Sequence, residues 1–238
     1  AIEDASVDAP EGSGLPTNAI LELDGNDDDR PAVWVGKGTF NRNIGEAAGN
    51  VVWEDPGGFA ARGGPLTVTL EGGAVLDWES QEAGFAGEDL QLGSNHADDV
   101  VTFTNSAVGW ADGAGGTDTG NRTFETFGNP SSESDEIHIN GNFVEGFNDI
   151  NIEGRDSYVV FNGKIRTELT DDAGDDVNMR GNMTLILNGT VEADDDANFE
   201  QGATVFVNNT FTVDDDVNFQ GASKTFVTVS GTISADDT

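Results

Sequence analysis

The chain has 238 residues, of which 45 are Asp or Glu and only 10 are Lys or Arg, so its formal net charge is −35. A nucleic-acid surface needs a basic stripe and contact with anionic lipid needs clustered cations, so the composition excludes both partners. No run approaches the ~20 apolar residues of a membrane-spanning helix, so membrane insertion is not expected.

The acidity also predicts the solvent in which the protein works. Asp outnumbers Glu by 28 to 17, and only three lysines occur. This much like charge opposes compaction in dilute buffer, whereas salt near 1 M shortens the Debye length to roughly 3 Å and screens the repulsion. The composition resembles that of haloarchaeal proteins over the whole chain. The resemblance implies a working solvent of brine and implies nothing about the fold.

Two features favour export. The chain begins Ala1-Ile2-Glu3 without a hydrophobic leader, which is expected of a protein trimmed after its first Met or after a signal peptide. Four Asn-x-Ser/Thr sequons predict surface glycosylation. Together they favour an extracellular or cell-surface location, with a virion as the alternative. The sequon asparagines are Asn121, Asn182, Asn188 and Asn208.

In chain order, residues 1–18 are polar and punctuated by Pro and Gly, which predicts an extended N-terminal tail. Residues 19–108 carry strand-like runs and three of the four tryptophans, which predicts an N-terminal β region. Residues 109–134 are rich in Gly, Ser and Thr and are expected to form a loop. Trp110, at the start of that loop, is the best candidate for an exposed aromatic contact.

Residues 135–238 contain an internal repeat. The segments Asp196-Ala-Asn-Phe and Asp216-Val-Asn-Phe lie 20 residues apart, and related segments begin at Asp149 and Asp176. Each copy leads into an alternating apolar strand and then a corner such as Asn162-Gly163. Asn and Gly tolerate the left-handed conformation that we expect at such a corner. The pattern therefore places one Asn of each copy, and one Phe of the last two copies, at equivalent positions. These residues are Asn151, Asn178, Asn198 and Asn218, with Phe199 and Phe219.

A repeat of about 20 residues with short strands and fixed corners predicts an all-β chain with a β-solenoid in its C-terminal half. The pattern resembles a parallel β-helix, and that resemblance fixes no function. We expect Phe199 and Phe219 to stack and both to be buried. The alternative is a β-sandwich whose hairpins turn at the Asn-Gly pairs.

Two acidic runs lie one repeat apart, and stacking would bring their carboxylates together. Neighbouring carboxylates repel unless salt screens them or a cation lies between them, and oxygen ligands on turns suit Ca²⁺. A solvated acidic surface is the leading interpretation, and calcium, the only cofactor predicted, is the alternative. The candidate ligands are Asp194, Asp195, Asp196, Asp214, Asp215 and Asp216.

No motif predicts catalysis, so we expect no enzyme. His96 and His138 lack a partner at metal-ligand spacing, and no nucleophile elbow or phosphate-binding loop is present. With 45 acids, a carboxylate pair suited to glycoside hydrolysis arises by chance.

The sequence favours a self-associating structural subunit of an extracellular assembly, such as a surface filament of a halophilic archaeon. The alternatives are a structural protein of a halophilic virus (capsid, turret or fibre), a surface module that binds glycan or protein, and a carbohydrate-active enzyme. For the self-assembling subunit, which would form a polymer or a ring, we expect residues 1–18 or the first strands to dock on a neighbouring copy.

The first testable consequence concerns salt. Because a net charge of −35 must be screened, the melting temperature should fall when NaCl is lowered from molar to below ~0.1 M. Thermal unfolding followed by circular dichroism measures this. A melting temperature that stays constant across that range would contradict adaptation to brine.

Overall fold

The computed structural model describes residues 15–25, 31–53, 56–77, 89–109, 122–143, 149–167, 175–220 and 226–235. Within these ranges the chain is all-β, with a 3-10 turn at Glu71–Gly73 and no α-helix, so no described helix could cross a membrane. The strands are β1 (Leu21–Leu23), β2 (Ala32–Arg42), β3 (Val51–Trp53), β4 (Gly57–Leu70), β5 (Leu76–Asp77), β6 (Asp89–Gly93), β7 (Val101–Phe103), β8 (Ala107–Gly109), β9 (Arg122–Phe127), β10 (Ile137–Ile139), β11 (Asn142–Phe143), β12 (Ile150–Phe161), β13 (Ile165–Arg166), β14 (Val177–Leu187), β15 (Val191–Ala193), β16 (Ala197–Glu200), β17 (Thr204–Val207), β18 (Thr210–Val213), β19 (Val217–Gln220), β20 (Phe226–Val229) and β21 (Thr232–Ala235).

The strands follow from the period-2 alternation of the sequence. In β7, Val101 and Phe103 are buried while Thr102 between them is partly exposed. The same alternation runs through β17, where Val205 and Val207 point into the core. Because successive side chains of a strand point to opposite faces, each strand buries one face against the interior and leaves the other outside.

All pairings among the described strands are parallel. A large sheet contains β2, β4, β6, β7, β9, β10, β12, β14, β16, β17, β19 and β20, a second sheet runs β5-β8-β11-β13-β15-β18-β21, and β1 pairs with β3. The hairpin β-sandwich is therefore wrong for these residues, because a tight hairpin joins antiparallel strands.

Part of the large sheet closes on itself. Strand β4 pairs through its first half with β6 and through its second half with β7. Strand β12 pairs in the same way with β9 and β10. Since β6 pairs with β9 and β7 pairs with β10, six strands form a closed, barrel-like ring of parallel pairings.

The repeat identified in the sequence sets the register. Asn151 pairs with Asn178, which pairs with Asn198, which pairs with Asn218. The predicted alignment of the four asparagines is therefore confirmed. Each repeat lies directly beside the next, so equivalent residues form rows that run across the strands.

The Asn-Gly corners are explained by close packing of backbone. A Cβ atom on Gly163 would overlap the carbonyl of Gly141, and one on Gly189 would overlap the carbonyl of Gly163. Neither glycine has a positive φ. Glycine is used here because the backbone of the preceding repeat lies too close for a side chain, not because the corner is left-handed.

A single hydrophobic cluster extends from Leu23 to Val213. At its N-terminal end it is covered by the segment that precedes β2. The guanidinium of Arg42 donates hydrogen bonds to the carbonyls of Leu15, Pro16 and Ala19. Residues 15–18 of the predicted tail thus lie on their own chain, and residues 1–14 are outside the described ranges.

Part of the predicted loop at 109–134 forms a strand instead. Arg122–Phe127 is β9, which pairs with both β6 and β12. Its polar residues Arg122, Glu125 and Thr126 are buried, which the Gly, Ser and Thr content of residues 109–134 did not indicate. Trp110 falls outside the described residues.

The two repeat phenylalanines stack as predicted, with ring centroids 5.4 Å apart and an interplanar angle of 14°. The expectation that both are buried is wrong. Phe199 is 1% exposed and Phe219 is 60% exposed. Among the described strands β19 pairs only with β16, so one face of the Phe219 ring has no neighbouring repeat.

This difference predicts unequal costs of truncation. Phe199→Ala should destabilise the fold by ~3–5 kcal/mol because it leaves a cavity in the core. Phe219→Ala should cost about 1 kcal/mol or less, because most of the ring is already in contact with water. Denaturant unfolding at constant molar salt measures both values. Equal losses would contradict the observed exposure.

Candidate functional site

One Asp at the corner of successive repeats accepts a hydrogen bond from the backbone of the next repeat, and of the six predicted acidic residues Asp196 does so. The N–H of Asp196 donates to Asp176 Oδ1 over 3.1 Å, and the N–H of Asp216 donates to Asp196 Oδ1 over 3.0 Å. Asp149 accepts the N–H of Asp176 in the same way, over 3.1 Å. One carboxylate per repeat therefore fixes the start of the following strand.

The second carboxylate oxygen is also used. Asn198 Nδ2 donates to Asp176 Oδ2 over 3.2 Å, and Asn218 Nδ2 donates to Asp196 Oδ2 over 2.9 Å. Each Asp-x-Asn segment therefore donates two hydrogen bonds, one from the Asp N–H and one from the Asn amide, to the Asp carboxylate of the preceding repeat. The repeated Asp-x-Asn is visible in the sequence. Which Asp each Asn bonds to became clear only from the strand register in the structure.

Stacking these carboxylates affects their ionisation. Burial raises the pKa of Asp176 above its ordinary value of 3.8, and the charges of Asp149, Asp196 and Asp195 raise it further against the opposing backbone hydrogen bond. Burial likewise raises the pKa of Asp149, with a contribution from the charge of Asp195. The row is therefore under electrostatic strain that counter-ions would relieve.

Three of the six candidate metal ligands come together. Asp195, Asp196 and Asp215 each place one carboxylate oxygen within 4.8 Å of the others. Asp194, Asp214 and Asp216 are not part of that group. Ca²⁺ takes 6–8 oxygen ligands, and both oxygens of Asp196 already accept hydrogen bonds. This donor set fits a loosely held, hydrated cation better than a calcium cage.

Three of the four sequon asparagines are described, and all are exposed with the amide nitrogen already donating. Asn188 Nδ2 donates to Asn162 Oδ1 over 2.8 Å, and Asn208 Nδ2 donates to Asn188 Oδ1 over 2.9 Å. Asn182 Nδ2 donates to Asp156 Oδ1. Asn121 lies outside the described ranges. Asn188 and Asn208 directly follow the paired residues Leu187 and Val207 of adjacent strands, so glycans on both would be attached only about 4.8 Å apart.

A surface cleft of about 530 Å³ lies beside the first half of the repeat region. Tyr158, which is exposed, lies in it together with carboxylates, and Asp156 enters it from a bulge with φ of 51°. An aromatic ring beside hydrogen-bond acceptors is a common arrangement for sugar binding. The sequence did not reveal this cleft because its lining comes from four separate segments, Pro130–Glu136, Asp156–Tyr158, Asn182–Thr184 and Thr204.

The described residues give no support for a histidine metal site. His138 Nε2 lies 2.9 Å from Glu136 Oε2, and His96 is not among the grouped candidate ligands.

Comparisons with protein-family models, with curated proteins and with solved structures found no match.

The ligand geometry generates a test of the cation site. In molar NaCl, a calcium chelator should leave the melting temperature unchanged, because sodium screens Asp195, Asp196 and Asp215 without a specific ion. Asp215→Asn serves as the matched variant. A chelator-induced fall that disappears in Asp215→Asn would instead assign a calcium site to these three residues.

Proposed function

We propose that the chain is a structural subunit of an extracellular assembly, a surface filament or similar polymer of a halophilic archaeon, and that it is not an enzyme. We also propose that its stacked repeats form a β-solenoid. The parallel pairing of equivalent strands at 20-residue intervals supports the solenoid. The net charge of −35 supports the proposal that the protein works in concentrated salt.

The observation that carries the assembly is the exposed apolar surface at one end of the stack. Phe219 in β19 is 60% exposed and Val229 in β20 is 44% exposed, although they pair with Phe199 and Val207, which are buried in the core. Each of these strands pairs with the preceding repeat and with no further described strand. Parallel strand edges with apolar side chains above them accept another chain by adding strands.

The opposite end is different. There Phe40 and Trp53 are fully buried, and Arg42 holds the covering segment in place. A contact between the open end of one copy and the covered end of the next is heterologous, so it produces a filament or a closed ring. In this arrangement residues 15–18 reach the neighbouring copy as part of the covered end rather than as a free arm.

The open end predicts how assembly responds to mutation. The double variant Phe219→Ser/Val229→Ser should weaken association by at least about tenfold, since burying one such side chain contributes about 1.5–3 kcal/mol. Val75→Ser is the control, because Val75 is 56% exposed but lies elsewhere, next to β5. Sedimentation and electron microscopy in molar NaCl measure the assembly.

Two outcomes would contradict the proposal. If the wild-type chain stays monomeric at high concentration in molar salt, the proposed role as a structural subunit is wrong. An equal loss of assembly in Val75→Ser and in the double variant would mean that the open end is not the contact.

A second candidate is a glycan-binding surface module, which the cleft beside Tyr158 supports. Tyr158→Ala would abolish binding to immobilised surface glycans if the cleft is the site, and would leave end-to-end assembly unchanged. A virion protein remains an alternative setting for the same subunit. The carbohydrate-active enzyme has the weakest support, since the carboxylates of the cleft include Asp135, which accepts a backbone hydrogen bond, and Asp156, which accepts the amide of Asn182.

A further inference from the structure

One outer side of the large sheet has a composition unlike the rest of the chain. Its first row contains one outward side chain from each of eight strands, which the pairing register places side by side. Four members are Thr and three are aliphatic or aromatic. The row consists of Thr39, Thr67, Thr102, His138, Val160, Ile186, Phe206 and Thr228.

A second row runs beside it, two residues further along the chain, with most of its members just past the ends of the strands. Its amides and hydroxyls bond to one another across the strands, at 2.8 Å from Asn162 to Asn140 and at 2.8 Å from Ser230 to Asn208. Thr69 and Thr104 continue the row with a 2.6 Å hydroxyl contact. Its members are Asn41, Thr69, Thr104, Asn140, Asn162, Asn188, Asn208 and Ser230.

Neither row contains Asp or Glu, although 45 of the 238 residues are acidic. A carboxylate borders the first row at one point, where Glu136 Oε2 lies 2.9 Å from His138 Nε2. The acids are instead on other outer surfaces, as with Glu192 in β15 and Glu200 in β16. We call these two rows the uncharged face.

We propose that the uncharged face is where two copies of this chain pack side by side, an inference that rests on the proposed structural role. Face-to-face sheets lie about 10 Å apart and exclude water and salt. Carboxylates trapped there would lose their screening and repel strongly. A chain with a net charge of −35 can therefore approach its own copy closely where neither presents a carboxylate.

The shape of the face suits the same partner. Its rows repeat at the strand spacing, so Val160, Ile186 and Phe206 on one copy can interdigitate with the same rows on another. The contact is self-complementary, as a two-fold interface requires.

The size of the face sets the strength of the contact. Eight strands spaced about 4.8 Å apart extend roughly 34 Å, and two rows of side chains cover roughly 10 Å, giving roughly 350 Å² per copy. A stable pair buries about 800 Å² per partner. A single pair is therefore weak, and lateral packing becomes stable when many copies are already aligned in a polymer, because the contacts then act together.

The proposal also determines the state of two sequons. Asn188 and Asn208 belong to the second row of the uncharged face, and a glycan on either would hold the copies apart. Both amides should be unmodified in the assembled protein, which leaves Asn182, outside the two rows, and Asn121 as the available acceptors.

Cysteine cross-linking tests the contact directly, because the chain contains no cysteine. Val160→Cys and Ile186→Cys should each give disulfide-linked dimers when the assembled protein is oxidised in molar NaCl. Thr212→Cys is the matched control, since Thr212 is an outward residue of β18 in the second sheet. The proposal is wrong if all three variants cross-link equally, or if neither Val160→Cys nor Ile186→Cys cross-links in assembled material.

A charge variant separates this proposal from the end-to-end contact. Ile186→Asp should remove lateral pairing of filaments in electron micrographs while filaments still form, and Thr212→Asp should leave both unchanged. Filaments that pair normally in Ile186→Asp overturn the lateral contact alone. Laterally paired copies without any filament overturn the end-to-end proposal alone. A glycan on Asn188 or Asn208, detected in the intact mass of assembled protein, overturns the lateral contact.

Discussion

The structure depends on one constraint: each residue of a repeat lies beside the equivalent residue of the next repeat at the strand spacing. Side chains that bond well to a copy of themselves are favoured by this register, and amides do so because Asn both donates and accepts. The contacts Asn178–Asn151 at 3.1 Å and Asn198–Asn178 at 2.9 Å show the result. Carboxylates are poorly suited to stacking, so in the repeat region Asp176 and Asp196 use backbone N–H groups and Asn amides as partners.

This constraint explains which features the sequence predicted. An exact 20-residue interval between Asn198 and Asn218 leaves little freedom in register, so the pairing followed directly from the spacing. The alternation of Val205 and Val207 determined which face is buried. By contrast, β9 was missed because it lies within residues 109–134, whose Gly, Ser and Thr content predicted a loop, and composition over that length does not resolve a six-residue strand.

Other features required the three-dimensional arrangement. The sequence assigned Phe199 and Phe219 the same environment, although burial depends on whether another repeat follows, and that is not encoded in the residue itself. The corner glycines were assigned to a left-handed turn, whereas Gly163 and Gly189 are required by a carbonyl of the preceding repeat. Only three of the six candidate ligands converge, the neighbours Asp195 and Asp196 with Asp215 from the next repeat, and the spacing alone did not show which three.

The same register separates the charges of the molecule. Because outward residues of equivalent position form continuous rows, a preference for Asp at a corner becomes an acidic edge, and a preference for Thr, Asn or Ile becomes an uncharged surface. Along that edge, burial and neighbouring charge raise the pKa values of Asp149 and Asp176. The subunit proposed above, which would associate with itself in brine, needs both surfaces, since one keeps it hydrated and the other permits close contact. Rows built from repeats supply this separation without any change in backbone, so substitutions confined to one row can adjust hydration or association independently.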